Sequence, residues 1–466
     1  MRVVLRTYMS ALFALIAAGC AHVAAPINAD IVFENVNVVP MDRETVLADR
    51  AVAVRDGVII AIVRQPAAGR IDAVERIDGG GAFLMPGLAD MHVHVRMAPK
   101  AAFNLFLANG VTTVRSMGLD EPFGTVDHVA LRADVEAGRI DGPRYLISGP
   151  QLNARRLPTV AEVAPMLDRH VAEGFDLVKI HGDLDQDVYD ALIDGAWERG
   201  LRVAGHTQHQ MPLAQSLRMG NIEHVEEFLY VSREGFGAVA GDYEAFMPLY
   251  FAHAEQLADP AYRALIVADV AASGVYVDPT LIIYKMISVW ASPERLANHL
   301  TDDRLAYLPA PTRQTYADPA TNPYQEEGFP LSVDHVDANV DTLSALVVEL
   351  HDAGVPLLLG TDALGTLAPG FAVHQELELL VAAGLTPYEA LRAGTVNVAA
   401  YLDETDKAGT IEVGKRADFA LVGGDPLAHV GNAGDVFGVY TRGLWRSRAD
   451  LASNLVEARN LARELD

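Results

Sequence analysis

The chain has 466 residues, of which 50% are hydrophobic and 21% charged, and its formal net charge is −26. This length and composition predict a globular protein with one large and one smaller domain, and they exclude a disordered chain. The acidic balance is offset by no basic run. It therefore excludes nucleic acid as a partner, because a negative surface repels phosphates.

The first twenty residues resemble a targeting segment. Arg2 and Arg6 precede an apolar run over 9–18 that is too short to span a bilayer comfortably. The run closes on Ala-Ala-Gly-Cys20, which resembles the bacterial lipoprotein signal. We expect residues 1–20 to be a lipoprotein-type signal peptide, with an ordinary cleaved signal as the alternative. The protein would then be exported to the periplasm or cell envelope, touching a membrane only through a lipid on Cys20.

Short β-rich segments occur near both ends of the chain. After a linker over 24–30, residues 31–39 alternate, and Arg55-Asp56-Gly57 between two apolar runs predicts a hairpin. Similar segments return at 417–422 and 436–440, where Trp445 is placed to cap a core. We expect 27–83 and 405–448 to form one composite β-sandwich domain, followed by a helical segment over 449–466.

Between these ends, strand and helix patterns alternate. The candidate strands are Leu88–His94, Val111–Arg115, Arg144–Ser148, Asp176–Ile180, Arg202–His206, Asn221–His224, Val275–Thr280 and Val355–Gly360. The clearest helical patterns are Thr159–Glu173, Gln186–Glu198, Ala261–Ala272 and Val336–Asp352. Eight such units predict an α/β fold, a (β/α)8 TIM-type barrel over 84–404 with a small split β-sandwich built from both termini. An open doubly wound sheet is the competing arrangement, but no Gly-x-Gly-x-x-Gly follows a strand.

Two connections are too long for simple loops between a strand and a helix. They run from about 230 to 260 and from about 285 to 335, and both are rich in aromatic residues. Connections of this length often form lids or walls of a binding site. The alternative is that they only pack against the barrel or against a partner subunit.

Chemically active residues follow several of the predicted strands. His92 and His94 are two residues apart, so on a strand their imidazoles point to the same side. Barrel enzymes carry their chemistry at the carboxyl ends of the strands. His206 and His224 end other strands, and Asp362 follows the eighth. Lys179 lies inside an apolar strand. Each residue alone has a structural explanation, but together they indicate a metal site.

The chain resembles the amidohydrolase superfamily of metal-dependent hydrolases. The resemblance rests on the segment 85–94 (MPGLADMHVH), on 110–115 (GVTTVR) and on 409–418 (GTIEVGKRAD). Within the superfamily, 176–180, 222–224 and 376–387 are similar to the group related to imidazolonepropionase, which includes Xaa-Pro dipeptidases.

The resemblance implies a centre of two divalent ions, with zinc as the expected metal. His92, His94 and Asp362 would hold one ion, and His206 and His224 the other. Lys179 would bridge both as a carbamate formed with carbon dioxide. A bridging hydroxide would attack the substrate, and Asp362 would be the catalytic residue that moves the proton.

The substrate side is less specific. The candidates are His181, Tyr230, Arg155 and Arg156, where an arginine would clamp a carboxylate. The expected activity is hydrolysis of an amide or peptide bond in a dipeptide or N-acyl amino acid. The alternatives are a mononuclear deaminase or cyclic-amide hydrolase, with Glu226 or Glu227 as proton shuttle, and a non-catalytic binding protein. The sequence leaves the oligomeric state open, with a homo-oligomer as one option.

Overall fold

The computed structural model describes residues 26–96, 98–118 and 126–466. The predicted signal peptide and Cys20 lie outside the described residues. The strands are β1 Ile27–Val38, β2 Leu47–Arg55, β3 Val58–Arg64, β4 Ile71–Asp78, β5 Phe83–Pro86, β6 Leu88–Val93, β7 Val111–Ser116, β8 Arg144–Ile147, β9 Leu177–Ile180, β10 Arg202–Gly205, β11 Asn221–Glu223, β12 Tyr276–Asp278, β13 Phe419–Val422, β14 Val436–Thr441 and β15 Leu444–Ser447.

The α-helices lie mainly between the strands of the central region. They are α1 Pro99–Ala108, α2 His128–Glu136, α3 Val160–Glu173, α4 Gln186–Glu198, α5 Leu213–Ser216, α6 Glu227–Tyr230, α7 Tyr243–Ala258, α8 Pro260–Ser273, α9 Leu281–Ala291, α10 Pro293–His299, α11 Ala310–Ala317, α12 Val333–Asp352, α13 Phe371–Ala383, α14 Pro387–Ala393, α15 Val396–Tyr401 and α16 Arg448–Arg463. Helices α3 and α8 end at glycines in the left-handed conformation, as their sequence patterns predict.

One sheet combines strands from both ends of the chain. Its order is β15-β14-β13-β5-β1-β2-β3, with β4 also paired to β1. The hairpin at Asp56-Gly57 joins β2 to β3, and both turn residues have positive φ. Phe33 of β1 packs edge-on against Trp445, with ring centroids 5.2 Å apart. The first strand starts at Ile27, inside the segment that the sequence indicated as a linker.

The central strands are parallel and run through two shorter sheets. One has the order β6-β7-β8 and the other β12-β11-β10-β9. An isolated parallel bridge joins Ser148 to Leu177, next to β8 and β9. The segment predicted as the eighth strand, 355–360, is not assigned as a strand. It pairs through a bridge between Val277 and Leu357 and through a hydrogen bond from the Met91 amide to the Leu359 carbonyl, 2.8 Å.

The two long connections are largely helical. The first contains α7, and the second contains the end of α9 together with α10 and α11. Trp290 of α9 stacks with Tyr324, and Asn322 donates hydrogen bonds to the carbonyls of Trp290 and Tyr316. The second connection is therefore held together by these side-chain contacts. Within the described ranges, no helix combines the length and the apolar character needed to span a bilayer.

Candidate metal centre

Five histidine rings form a row at the carboxyl ends of the parallel strands. In order they are His94, His92, His224, His206 and His181. The distances between neighbouring ring centroids are 5.3, 4.5, 4.8 and 4.4 Å. His181, His206 and His224 each directly follow a strand, β9, β10 and β11. Because parallel strands end on the same side, residues far apart in sequence meet here.

The carboxylate of Asp362 lies against three of these rings. Its Oδ1 is 3.1 Å from His94 Nε2 and 3.7 Å from His92 Nε2, and its Oδ2 is 4.0 Å from His224 Nε2. One ligand atom each of His92, His224 and Asp362 lie within 4.8 Å of one another, which is close enough to hold one metal ion. Two imidazoles and a carboxylate suit zinc and other first-row divalent metals.

The charges in this cluster favour metal ligation. Burial, together with the charge of Lys179, lowers the pKa of His92 well below its usual value. Burial and neighbouring His92 do the same for the pKa of His224. Burial alone would raise the pKa of Asp362, but the histidines outweigh it and the pKa lies below its usual value. The imidazoles are therefore neutral and the carboxylate is ionised, as metal binding requires.

Lys179 is fully buried in β9 without a hydrogen-bond partner for its Nζ in the described structure. A buried polar group without a partner costs free energy, so its retention calls for an explanation. Burial lowers the pKa of Lys179, against the opposing charges of Glu223 and Asp362. This orphaned amine and the nitrogen and oxygen donors around it fit a metal centre better than a structural salt bridge.

A second layer of hydrogen bonds fixes four of the five histidines through Nδ1. His92 Nδ1 is 2.7 Å from Glu223 Oε2, and His206 Nδ1 is 2.9 Å from Glu227 Oε1. His94 Nδ1 is 2.7 Å from the Gly118 carbonyl, and His224 Nδ1 is 2.7 Å from Thr280 Oγ1. Such partners leave Nε2 of each ring for a metal and set its orientation.

Glu223 belongs to a buried charge network beneath the site. Its other oxygen accepts a hydrogen bond from Arg115 Nη2 at 2.6 Å, and Arg115 also reaches Asn221 Oδ1 and the Tyr401 hydroxyl. Asp278 lies 3.6 Å from the same Arg115 nitrogen. Burial and the nearby Glu223 raise the pKa of Asp278 well above its usual value. Arg115 therefore holds Glu223, and through it the ring of His92.

Three residues of the site have left-handed backbone. They are His224 with φ 69°, Thr280 with φ 44° and Asp362 with φ 45°. A threonine in this region is uncommon, and such strain often marks functional sites. Gly360 precedes Asp362, and a Cβ there would lie 2.3 Å from Asp278 Oδ2, so the close approach requires glycine.

The predicted substrate residues lie at different distances from the row. His181 is exposed and forms one end of it. Tyr230 is half-buried and stacks on Tyr250, 5.2 Å between centroids. Arg155 and Arg156 lie in the loop after β8, where their backbone amides donate hydrogen bonds to Asn153 Oδ1. Arg155 is exposed, and Arg156 is half-buried beside the cavity lined by Gly118 and His128. The described contacts bring His181 into the cluster but do not join Arg155 to it.

Several residues around the site have positions or contacts that the sequence did not predict. Glu223, Glu227 and Thr280 hold the histidines, and Arg96 lies near Asp362. Burial lowers the pKa of Arg96, while the charge of Asp362 opposes that shift. Arg96 could have been found from its position two residues after His94. The partners of His92 and His224 are 131 and 56 residues away, so no local pattern marks them.

Buried histidines and carboxylates at the ends of parallel strands are typical of metal-dependent hydrolases with a barrel fold. The model of the amidohydrolase family matches residues 83–445. The chain belongs to the amidohydrolase family, as the sequence predicts.

Curated relatives match shorter stretches. Adenine deaminase 2 of Rhizobium etli is 32% identical over 166 residues, which is 33% of this chain and 27% of that protein. Imidazolonepropionase of Alkaliphilus oremlandii is 34% identical over 87 residues, 18% of this chain and 20% of that protein. The matched stretches thus span about a quarter or less of these relatives.

Solved structures match over most of the chain. A Xaa-Pro dipeptidase with methionine bound in its active site has a TM-score of 0.63 at 18% identity, covering 90% of this chain and 99% of that one. The bottromycin amidohydrolase has a TM-score of 0.69 at 22% identity, covering 92% and 90%. These likenesses establish an α/β fold of the TIM-barrel type. Members of the family are hydrolases that act on C–N bonds and generally use divalent metals.

Proposed function

We propose that this protein is an exported hydrolase that cleaves an amide or peptide bond in a dipeptide or N-acyl amino acid. The observation that carries the proposal is the buried Lys179, without a hydrogen-bond partner, beside a row of histidines and the ionised Asp362. The peptidase-like solved neighbours are in line with this substrate class.

In this proposal two divalent ions, zinc by preference, bind at the row. His92, His94 and Asp362 would hold one ion, and His206 and His224 the other. When bound, such ions lower the pKa of water and polarise the scissile carbonyl.

Lys179 would link the two halves after reaction of its neutral amine with carbon dioxide. The nitrogen forms a bond to carbon and loses one proton, giving an anionic carbamate with two oxygen donors. The lowered pKa of Lys179 favours the neutral amine that this step needs. An unmodified ammonium would be repelled by the ions.

The catalytic role of Asp362 is to carry a proton. Its low pKa keeps it ionised at neutral pH, so it can accept the proton of the attacking water and deliver it to the leaving nitrogen. Glu223 and Glu227 hold the rings of His92 and His206. His181 and Tyr230 are the substrate-orienting residues, with Arg155 and Arg156 on the neighbouring loop.

The proposal is tested with Lys179→Ala, with the exposed Lys285→Ala as control. We expect about two metal ions per chain in the parent and in the control. Lys179→Ala should retain at most one ion and lose most hydrolysis of dipeptides and N-acyl amino acids. A short carboxylate such as propionate, added in solution, should restore part of both. Full metal content and activity in Lys179→Ala would contradict the binuclear arrangement.

A second candidate is a mononuclear deaminase or cyclic-amide hydrolase. Two observations favour it: the three-ligand set of His92, His224 and Asp362, and the adenine deaminase and imidazolonepropionase relatives. Of its proposed proton shuttles, Glu227 is fully engaged by Thr207, His206 and His209. Glu226 keeps one buried oxygen without a hydrogen bond. One ion per chain and ammonia release from adenine would support this candidate, and metal-free protein of full stability would point to a non-catalytic binding protein.

The remaining proposals concern architecture and location. The hydrogen bond between Met91 and Leu359 and the bridges at Ser148–Leu177 and Val277–Leu357 support a closed eight-stranded barrel over 84–404. The sheet built from both ends supports a small split β-sandwich over 27–83 and 405–448, with a helical segment over 449–466. We propose a lipid anchor on Cys20 in the periplasm or cell envelope, no nucleic-acid partner, and an oligomeric state to be measured.

A further inference from the structure

A cavity of about 160 Å³ opens beside His94. Its walls come from α1, from the segment after α10 and from the segment after Asp362. Alanine and leucine side chains predominate in the lining; among them are Ala101, Ala102, Leu105, Leu308, Leu364 and Leu465. An apolar cavity of about 150 Å³ is large enough for a benzene ring. The size and lining therefore suit one branched or aromatic side chain.

One cationic side chain, Arg96, lies among the described residues that line this cavity. The Arg96 side chain is half-buried and lies two residues after His94, which lines the same cavity. A guanidinium in a partly buried site binds a carboxylate through paired hydrogen bonds.

The cavity and the candidate metal centre share one residue, His94, which lines the cavity and lies 3.1 Å from the Asp362 carboxylate. A substrate whose scissile carbonyl lies against His94 and Asp362 places its leaving amino acid a few bonds away. The α-carboxylate and the side chain of that amino acid diverge from one carbon atom. An arginine in the lining of an apolar cavity matches this pair of groups.

We propose that this cavity binds the side chain of the amino acid that is released, with Arg96 binding its carboxylate. The preferred substrates are then dipeptides or N-acyl amino acids with a free carboxylate and a C-terminal apolar residue such as leucine or phenylalanine. The inference rests on the proposed function for its link to hydrolysis, but the binding site is testable by itself.

Binding is measured by titrating 3-phenylpropanoate into the full-length, metal-loaded protein. Ala102→Phe fills the cavity and should weaken binding about 10- to 100-fold, because an apolar ring loses its buried surface. Ala102→Ser, a matched change that keeps the cavity open, should bind like the parent. Equal binding by all three proteins would overturn the proposal, since the carboxylate would then bind elsewhere, for instance at the metal.

A second variant protects the test against misfolding of the first. Leu308→Ala enlarges the cavity and should shift the preference toward 3-(2-naphthyl)propanoate. An unchanged preference in this variant would overturn the assignment of the cavity.

The role of Arg96 is tested with Arg96→Met. This variant should lose about tenfold or more of the affinity for 3-phenylpropanoate and little of that for 3-phenylpropanamide. An equal loss for both ligands would overturn the assignment of the carboxylate to Arg96.

Hydrolysis distinguishes the inference from the proposed function. The parent should cleave N-acetylphenylalanine and N-acetylleucine faster than N-acetylglycine, and Ala102→Phe should reduce this difference. Equal rates for the three substrates would overturn the cavity assignment while leaving the hydrolase intact. Cleavage of none of them, with binding still sensitive to Ala102→Phe, would overturn the proposed function and support the cavity.

Discussion

Glu223 illustrates how one buried side chain positions a ligand without touching the reacting atoms. Its carboxylate joins His92 Nδ1 to Arg115, and all three side chains are buried to 99% or more. The arrangement leaves Nε2 of His92 for the proposed metal.

Glu223→Gln should weaken metal binding by about 10- to 100-fold, because an amide cannot accept from His92 and Arg115 as a carboxylate does. The measurement is competition for zinc with a chelator of known affinity. Glu75→Gln, at an exposed position of β4, is the control and should keep the parent affinity. Parent-like affinity in Glu223→Gln would show that the ring needs no carboxylate to hold it.

The residues that the sequence could predict are those with a local sign. His92 and His94 alternate on one strand, and Lys179 stands out because an apolar strand surrounds it. Thr280 has no local sequence pattern that marks it, because its hydroxyl contacts His224 from 56 residues away in the sequence. Asp362 is read from its place after a predicted strand, while its left-handed backbone is visible only in the structure.

At the scale of elements, α9 begins where Glu376 of α13 accepts hydrogen bonds from the amides of Leu281 and Ile282, at 2.9 and 2.7 Å. A carboxylate suits the start of a helix. Burial nevertheless outweighs these hydrogen bonds and raises the pKa of Glu376 to about 8.

This shift makes stability depend on pH. Because its pKa is about 8, Glu376 keeps its proton in the folded protein up to about pH 8, whereas the unfolded chain releases it near the usual pKa of 4.5. Between these values the unfolded state binds fewer protons, so the contribution of Glu376 to stability is present below about pH 4.5 and is lost as pH rises toward 8.

Glu376→Gln should flatten this part of the pH dependence, which amounts to roughly a few kcal/mol in total. Denaturant unfolding at several pH values measures it. The exposed Glu378→Gln on the same helix should preserve the slope of the parent. An unchanged slope in Glu376→Gln would mean that another carboxyl group titrates in this range.

Secondary structure is predictable where turn chemistry and periodicity agree. Gln186–Glu198 matches its predicted bounds, and the Asp56-Gly57 hairpin forms as expected. The prediction of a regular strand over 355–360 is wrong, because this segment pairs only through a single bridge and separate hydrogen bonds. The helices in the long connections were missed because their aromatic residues obscure helical periodicity.

At the scale of the whole molecule, Phe33 lies where the two ends of the chain meet. Its ring contacts Phe419, Tyr440 and Trp445 edge-on, with centroids 5.2 to 5.7 Å apart. The first strand thereby packs against three residues from the C-terminal part of the sheet.

Phe33→Ala should lower the free energy of unfolding by about 3–5 kcal/mol, because it leaves a cavity in a packed aromatic cluster. Val74→Ala, at a position that is 92% exposed, should change it little. Thermal and denaturant unfolding measure both variants. If Phe33→Ala lowers the free energy of unfolding by less than about 1 kcal/mol, the aromatic contacts between the two ends of the chain contribute little to stability.

Metal removal acts on the same scale. A chelator should lower the unfolding temperature by several degrees, since ligands that bind only the folded state stabilise it by mass action. Differential scanning calorimetry with and without added zinc measures the shift. Identical transitions would contradict a metal centre built into the core.

The pairing of β5 with β13 has a consequence for how the chain is made. Strand β5 is translated more than 300 residues before its partner, and at about 5–20 residues per second the delay is some tens of seconds. Throughout that interval the newly made sheet has an open edge, which is the kind of surface that recruits other strands and aggregates. Ribosomal synthesis therefore favours folding that waits for the last segment, or a chaperone that covers this edge until it arrives.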